Sequence, residues 1–194
     1  MIKEMLIIIS SSCLVNCANQ GSNNTVQQSK LETINEIDDT HEIIKILYET
    51  DQAERSSKNT NWSQMSRNDR KRLRKVKELL IDSNKFTALD YTRAAMIFQH
   101  GGKSEEYKTA IQLMERAIEL DSSTNQWLFF AATDRYLLSM NKPQIFGTQY
   151  TYSDTGKVTK AIDITFEADS IRNSYNTLPV SIKENLIDLK LIEK

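Results

Sequence analysis

Apolar residues recur at steps of three and four along most of the chain, the period of helices that bury one face. After Thr40, the residues Ile43, Ile44, Leu47 and Tyr48 form the first such stripe, and the run ends near Ser56 and Ser57. The polar segment SSKNTNWSQ that follows reads as a loop. Ser66, with Asp69 three positions on, has the pattern of a capping box and predicts a helix through Leu80 that buries Leu73, Val76 and Leu80. Thr87 and Asp90 repeat the device before a helix carrying Tyr91, Ala94, Ala95 and Phe98, which the glycines after His100 are suited to end. Ser104 begins the cleanest amphipathic stripe, Tyr107, Ala110, Ile111, Met114, Ala117 and Ile118. Ser123 and Gln126 predict the cap of a further helix that runs to Asn141 and is closed by Pro143, with Trp127, Phe130, Ala131 and Leu138 as its buried stripe.

Beyond Gly147 the period changes from helical to alternating. Tyr150 and Tyr152, then Val158, Ile162 and Ile164, flank SDTG and predict a short β-hairpin with Gly156 at positive φ in its turn. Two short helices are expected after it, near residues 167–176 and 182–192, the second with a Ser181/Glu184 cap after Pro179. The expected fold is mainly α, built of antiparallel helical hairpins with a short C-terminal β-hairpin. The piece YKTAIQLMERAIELDSS resembles half of a tetratricopeptide-type repeat, although no second copy follows at a fixed period.

The first residues break from this pattern. One lysine precedes an apolar run from Met5 to Ile9, and small and apolar residues continue to Val15. The run falls short of the roughly 20 residues that span a bilayer and has the layout of a secretory leader. Leu14-Val15-Asn16-Cys17 resembles the lipobox of a bacterial lipoprotein signal, with Cys17 as the lipidated residue. Asn16 departs from the small residue usual there, which leaves Cys13 as a second candidate. Residues 18–36, rich in Asn, Gln, Ser and Thr, cannot bury enough surface to offset their ordering entropy. The expected organisation is a signal over residues 1–16, a tether over 17–36 and one helical domain over 37–194. A bacterial cell envelope location follows from it, with the membrane as partner through the lipid anchor and the body facing the periplasm or the cell surface.

Composition narrows the chemistry. Twenty-five basic residues stand against 26 acidic ones, so no global field draws the chain to nucleic acid. Seven basic residues lie between Arg67 and Lys77, without the interleaved aromatics that single-strand binding favours, and read as a solvated helix face or, alternatively, as a surface for phosphates or an anionic membrane. Both cysteines fall in the leader, which leaves the body without a disulfide, a thiolate nucleophile or a cysteine zinc site. There is no phosphate loop, no His-Glu-X-X-His helix, no Gly-X-Ser-X-Gly elbow and no EF-hand loop, and neither a metal nor another cofactor is expected.

Polar residues on buried helical faces are the informative ones, because a buried charge needs a partner. The stripe of the first helix passes from Leu47 and Tyr48 into Asp51 and Arg55, spaced to pair at i,i+4. They could form a solvated helix end or wall a pocket. Asp134 falls between Ala131 and Leu138 and needs a donor, whereas Arg135 points about 100° away. His100 follows Gln99 at a helix C-terminus, where an imidazolium is electrostatically favoured. As a general base it would need a carboxylate to orient its ring, and Asp134 or Asp51 could supply one. His41 reads as a surface residue. In PQIFGTQY, Pro143 ends a helix, Ile145 and Phe146 enter the core, and Gly147 turns the chain so that Thr148 and Gln149 face inward. Gln144 and Gln149 can each donate and accept, which suits a polar ligand or a buried network.

Five motifs together resemble a bacterial family described as a domain of unknown function: DQAER, DYTRAAMIFQHG, WLFFAATDRYLLS, PQIFGTQY and DSIRNSYNTLP. The resemblance covers roughly residues 43–185 and implies an α-helical domain without an assigned activity. It supports grouping Gln99, His100, Asp134, Arg135, Gln144 and Gln149. Three functions are expected to compete. The first is an envelope lipoprotein binding a polar ligand or an envelope protein through Asp51, Arg55, Gln99, Arg135, Gln144, Thr148 and Gln149. The second is a metal-independent hydrolase with His100 as base and Asp134 as its orienter. The third is a structural protein whose polar set specifies the fold.

Overall fold

The computed structural model describes residues 39–58, 61–153, 156–160, 162–163 and 165–174. The expected leader, the tether and the helix over 182–192 lie outside these. Six α-helices, a 3-10 turn and two short strands make up the described part. The domain is mainly helical, as the periodicity predicts.

Helix α1 (Thr40–Arg55) is capped by Asp39, whose side chain accepts from the His41 N–H at 2.9 Å. Its buried stripe runs Ile43, Ile44, Leu47 and then Thr50, Asp51 and Glu54, so the apolar face turns polar without leaving the interior. Helix α2 (Trp62–Leu79) starts a turn earlier than the Ser66/Asp69 pattern predicts. Asn61 provides the cap by accepting from Gln64 N at 3.0 Å, and Asp69 binds two guanidiniums instead of a helix terminus. A short 3-10 turn, Leu80–Lys85, kinks at Asp82 and leads into α3 (Ala88–Gln99).

The predicted capping box of α3 is present. Thr87 Oγ1 accepts from Asp90 N, and Asp90 Oδ2 accepts from Thr87 N at 2.9 Å. His100 is the C-cap, and the positive φ needed to leave the helix falls on Gly102, at 94°, rather than on Gly101. Gly101 serves another need, since a Cβ there would run into the Glu106 side chain. Glu106 opens α4 (Ser104–Leu120) by accepting from Lys103 N at 3.1 Å.

Helix α5 (Trp127–Ser139) differs most from expectation. Trp127 is 54% exposed, while five consecutive residues, Leu128 to Ala132, are buried. Asn125, not Ser123, bonds the first helical N–H, and Ser123 turns back to Asp121. The core aromatic cluster is Phe129, Phe130 and Phe146, with Phe130 and Phe146 centroids 4.5 Å apart. Helix α4 packs on both α3 and α5, and α1 packs on α3, which places the ends of α1 and α3 beside each other.

The strands β1 (Tyr150–Ser153) and β2 (Gly156–Thr159) pair antiparallel, with Tyr150 opposite Thr159 and Thr151 opposite Val158. Residues 154–155 between them lie outside the described residues, and Gly156, expected in the turn, is instead the first residue of β2, opposite Ser153. Helix α6 (Phe166–Ser174) brings Arg172 back between the loop before β1 and the segment after β2, where its Nη1 donates to the Ile145 and Asp163 carbonyls at 2.7 and 2.9 Å. Among the described residues, no helix is long and apolar enough to cross a membrane.

Candidate functional site

Two polar centres are built into this fold, and the residues singled out in the sequence divide between them. The first lies where α1, α2 and the C-terminal end of α3 meet. Asp51 is fully buried, and its Oδ2 lies 3.0 Å from His100 Nδ1. Arg55, one turn further along α1, brings Nε to 3.2 Å from Asp51 Oδ1 and 2.9 Å from the same His100 nitrogen. A single ring nitrogen cannot both donate to Asp51 and accept from Arg55, so the two contacts correspond to alternative tautomers. When Nδ1 carries the proton and donates to Asp51, Nε2 is left as an acceptor. No hydrogen bond joins Nε2 to another described residue, and the side chain keeps 13% exposure.

Helix α2 completes this centre with residues that the sequence reading assigned elsewhere. Arg72 belongs to the basic run read as solvated, yet it is 1% exposed. Its Nη2 donates to Glu54 Oε2 at 2.7 Å and to Asp69 Oδ1 at 2.6 Å, and its Nε lies 3.6 Å from Asp51 Oδ1. Asp69 also accepts from Arg55 Nη2 at 2.8 Å, and buried Asn68 donates to Glu54 at 2.8 Å. The period held the signal: position 72 lies four before Val76 and seven after Met65, on the buried face of α2. Charge composition hid it, because six other cations surround it in sequence.

Electrostatics here are mutual. Burial by itself would raise the Asp51 carboxyl, but the hydrogen bond and charge of His100, with Arg55 and Arg72, outweigh it and hold Asp51 below the usual carboxylate range. Burial by itself would lower Arg72, and Asp69, Glu54 and Asp51 more than offset it. Removing one of its charged members, Asp51, Glu54, Asp69 or Arg72, strands the charge of its partners.

The second centre is Asp134. Oδ1 accepts from the Ile145 and Phe146 N–H groups, and Oδ2 from the N–H and hydroxyl of Thr148, all at 2.8 Å. The carboxylate therefore organises the turn at Gly147, whose φ is 70°. Burial pushes the Asp134 carboxyl up, against the pull of these four donors. Gln144, fully buried, accepts from Gln149 N at 2.8 Å and donates to the Gln149 and Lys160 carbonyls at 2.9 and 2.8 Å. A side-chain amide here stands in for a strand's backbone. Asp134 has no acceptor position left for a ligand, and both amide hydrogens of Gln144 are used.

This corrects the pairing of His100 with Asp134. The carboxylate that meets the imidazole is Asp51, because Asp134 is committed to the 145–148 backbone. Thr148 and Gln144 likewise serve the loop. His41, although nearly half exposed, is tied through Nδ1 to Asp90 Oδ2 at 2.7 Å.

Arg135 joins the two centres. Its Nε donates to Gln149 Oε1 at 3.1 Å and its Nη1 to the Gln99 carbonyl at 3.1 Å, next to His100. Burial lowers its pKa, Tyr107 opposes this, and the like charge of nearby Arg55 adds to the lowering. No carboxylate lies within ion-pair distance of Arg135 among the described residues. Gln99, 2% exposed, keeps a buried Oε1 without a partner. Two guanidiniums, an imidazole edge and the Gln99 carbonyl thus share one corner. No three His, Cys, Asp or Glu side chains are placed to hold a metal ion among the described residues.

No protein-family model, curated protein or solved structure matches this chain. The fold and site define it as a mainly helical domain with a buried ionic cluster and a carboxylate-centred loop.

Proposed function

We propose that the domain binds a polar ligand carrying an anionic group at the corner formed by Arg55, Gln99, His100 and Arg135. The observation that carries this reading is Arg135, a largely buried cation that spends its bonds on two neutral oxygens while facing the like charge of Arg55. An anion there would relieve that repulsion, and in the tautomer whose Nδ1 accepts from Arg55 the His100 Nε2–H would donate to it. Asp51, Arg72 and Asp69 act as the frame that fixes Arg55 and His100. Asp134, Gln144, Thr148 and Gln149 shape the loop behind Arg135. The setting we propose is a bacterial envelope lipoprotein, lipidated at Cys17 and related to the domain-of-unknown-function family that its motifs resemble. Within it, α3 and α4 form an antiparallel hairpin of tetratricopeptide-like kind.

The Asp51–His100 contact favours a second reading, a hydrolase in which His100 activates water and Asp51, rather than Asp134, orients it. Thermal-shift titration with small carboxylates, phosphates, acidic sugars and peptides tests both readings. The ligand-site reading expects a compound that raises the melting temperature of the wild type but not of Arg135→Gln or His100→Ala, both variants folding normally. Turnover of that compound, lost in His100→Ala, would favour the hydrolase. If His100→Ala unfolds the protein as readily as loss of Asp51 does, the imidazole is structural and the site reading fails.

A further inference from the structure

The outward face of α2 is the strongest charged feature that the ligand corner does not use. Helix α2 holds seven basic and two acidic residues in a chain whose net charge is −1. With Arg72 turned inward, Arg67, Arg70, Lys71 and Arg74 are exposed and fall within a sector of about 100° on the helical projection, opposite Met65 and Val76. Arg67 and Arg70 bond to the neutral side chains of Gln64 and Ser66, and no ion pair holds Lys71 or Arg74 among the described residues. Lys75 and Lys77, nearer the rim, face Glu78 and Glu106. The cations, with Leu73 and Glu106, line a hollow of ≈ 400 Å³.

Two large apolar side chains are exposed near the ends of α2, with Trp62 about 80° round the helical projection from the edge of the basic sector. Trp62, the first residue of α2, is 73% exposed, and Ile81, two residues past its end, is 87% exposed. A basic helix face with an exposed indole at its first residue and an exposed aliphatic side chain in the 3-10 turn after it fits a helix resting on a lipid interface. Lys and Arg there meet anionic headgroups, Trp sits at headgroup depth, and the aliphatic residue enters the acyl boundary. A nucleic acid backbone would satisfy the cations but offers nothing to Ile81.

We propose that the outward face of α2 docks on the surface of an anionic phospholipid bilayer. This claim is independent of the ligand corner and of any lipid anchor. Lipidation would hold the chain near the membrane, whereas α2 would fix which side of the domain faces it.

The test uses the full chain, with Trp127→Phe so that Trp62 is the only indole, mixed with vesicles of phosphatidylcholine alone or with phosphatidylglycerol. The expected result is a blue shift of Trp62 emission and quenching by brominated lipid in the anionic vesicles only. Arg70→Glu, Lys71→Glu and Arg74→Glu together should weaken that quenching about tenfold or more. About 0.5 M salt should reduce it in the parent protein. The triple variant leaves the Arg72 cluster intact, and an unchanged melting temperature verifies that it folds. Equal quenching on neutral and anionic vesicles, or no effect of the triple variant, overturns the proposal. Tighter association with a DNA duplex than with anionic vesicles also overturns it and assigns the face to nucleic acid.

Discussion

Asp51 and His100, 49 positions apart in the chain, meet at 3.0 Å between Oδ2 and Nδ1. This contact ties the polar end of α1 to the C-cap of α3. It also separates the two acids that sequence spacing alone could not distinguish: Asp51 serves an imidazole and two guanidiniums, Asp134 a loop backbone.

Arg72 is expected to be the least replaceable cation of the α2 run. Arg72→Met removes the charge that Glu54 and Asp69 share and leaves buried carboxylates underpaired. A loss of about 3–5 kcal/mol should appear in urea denaturation. Arg74→Met, on the exposed face, should lie within about 0.5 kcal/mol of the wild type.

Asp134→Asn should destabilise through the loop rather than through α5. Its amide would present N–H groups to the Thr148 N–H, leaving that donor unpaired at about 1–3 kcal/mol. Proteolytic cleavage within 143–149 should accelerate, while the helical circular dichroism of the folded protein stays unchanged. Preserved loop resistance would contradict this role.

The stability profile should fall on the acid side. Asp51 and Asp90 both titrate below the ordinary carboxylate range when folded. A carboxyl depressed in the folded state adds stability above its unfolded value. That stability is lost as pH falls through the lower, folded value. The urea midpoint should therefore decline from about pH 4 downward. Asp51→Asn should lower the midpoint at neutral pH and flatten the decline.

The paired glycines make a controlled comparison. Gly101→Ala drives a Cβ into Glu106 and disturbs the bond that opens α4, at an expected 1–3 kcal/mol, roughly the range of overpacking. Gly102→Ala meets nothing within 4 Å but keeps a φ of 94°, so its cost is backbone strain alone, of order 1 kcal/mol. Melting temperatures of the two variants, with Glu106→Gln as a third, would separate steric from conformational effects.

Sequence alone determined the helices with strong local signals. Thr40 to Arg55, the Thr87/Asp90 box and the stripe after Ser104 follow from spacing and capping chemistry that act within a few residues. It also marked Asp51, Arg55 and Asp134 as out of place on their faces, and His100 as an imidazole at a helix C-terminus. Tertiary structure decided what each one meets. Which carboxylate reaches His100 depends on α1 lying against α3, and the inward turn of Arg72 depends on acids from α1 crossing α2. The same holds for Trp127, which left the core because the whole Leu128 to Ala132 turn is enclosed by its neighbours. Helical period assigns a residue to a face, but the partner of a buried charge is set by long-range packing, where the cost of leaving that charge unpaired selects one arrangement.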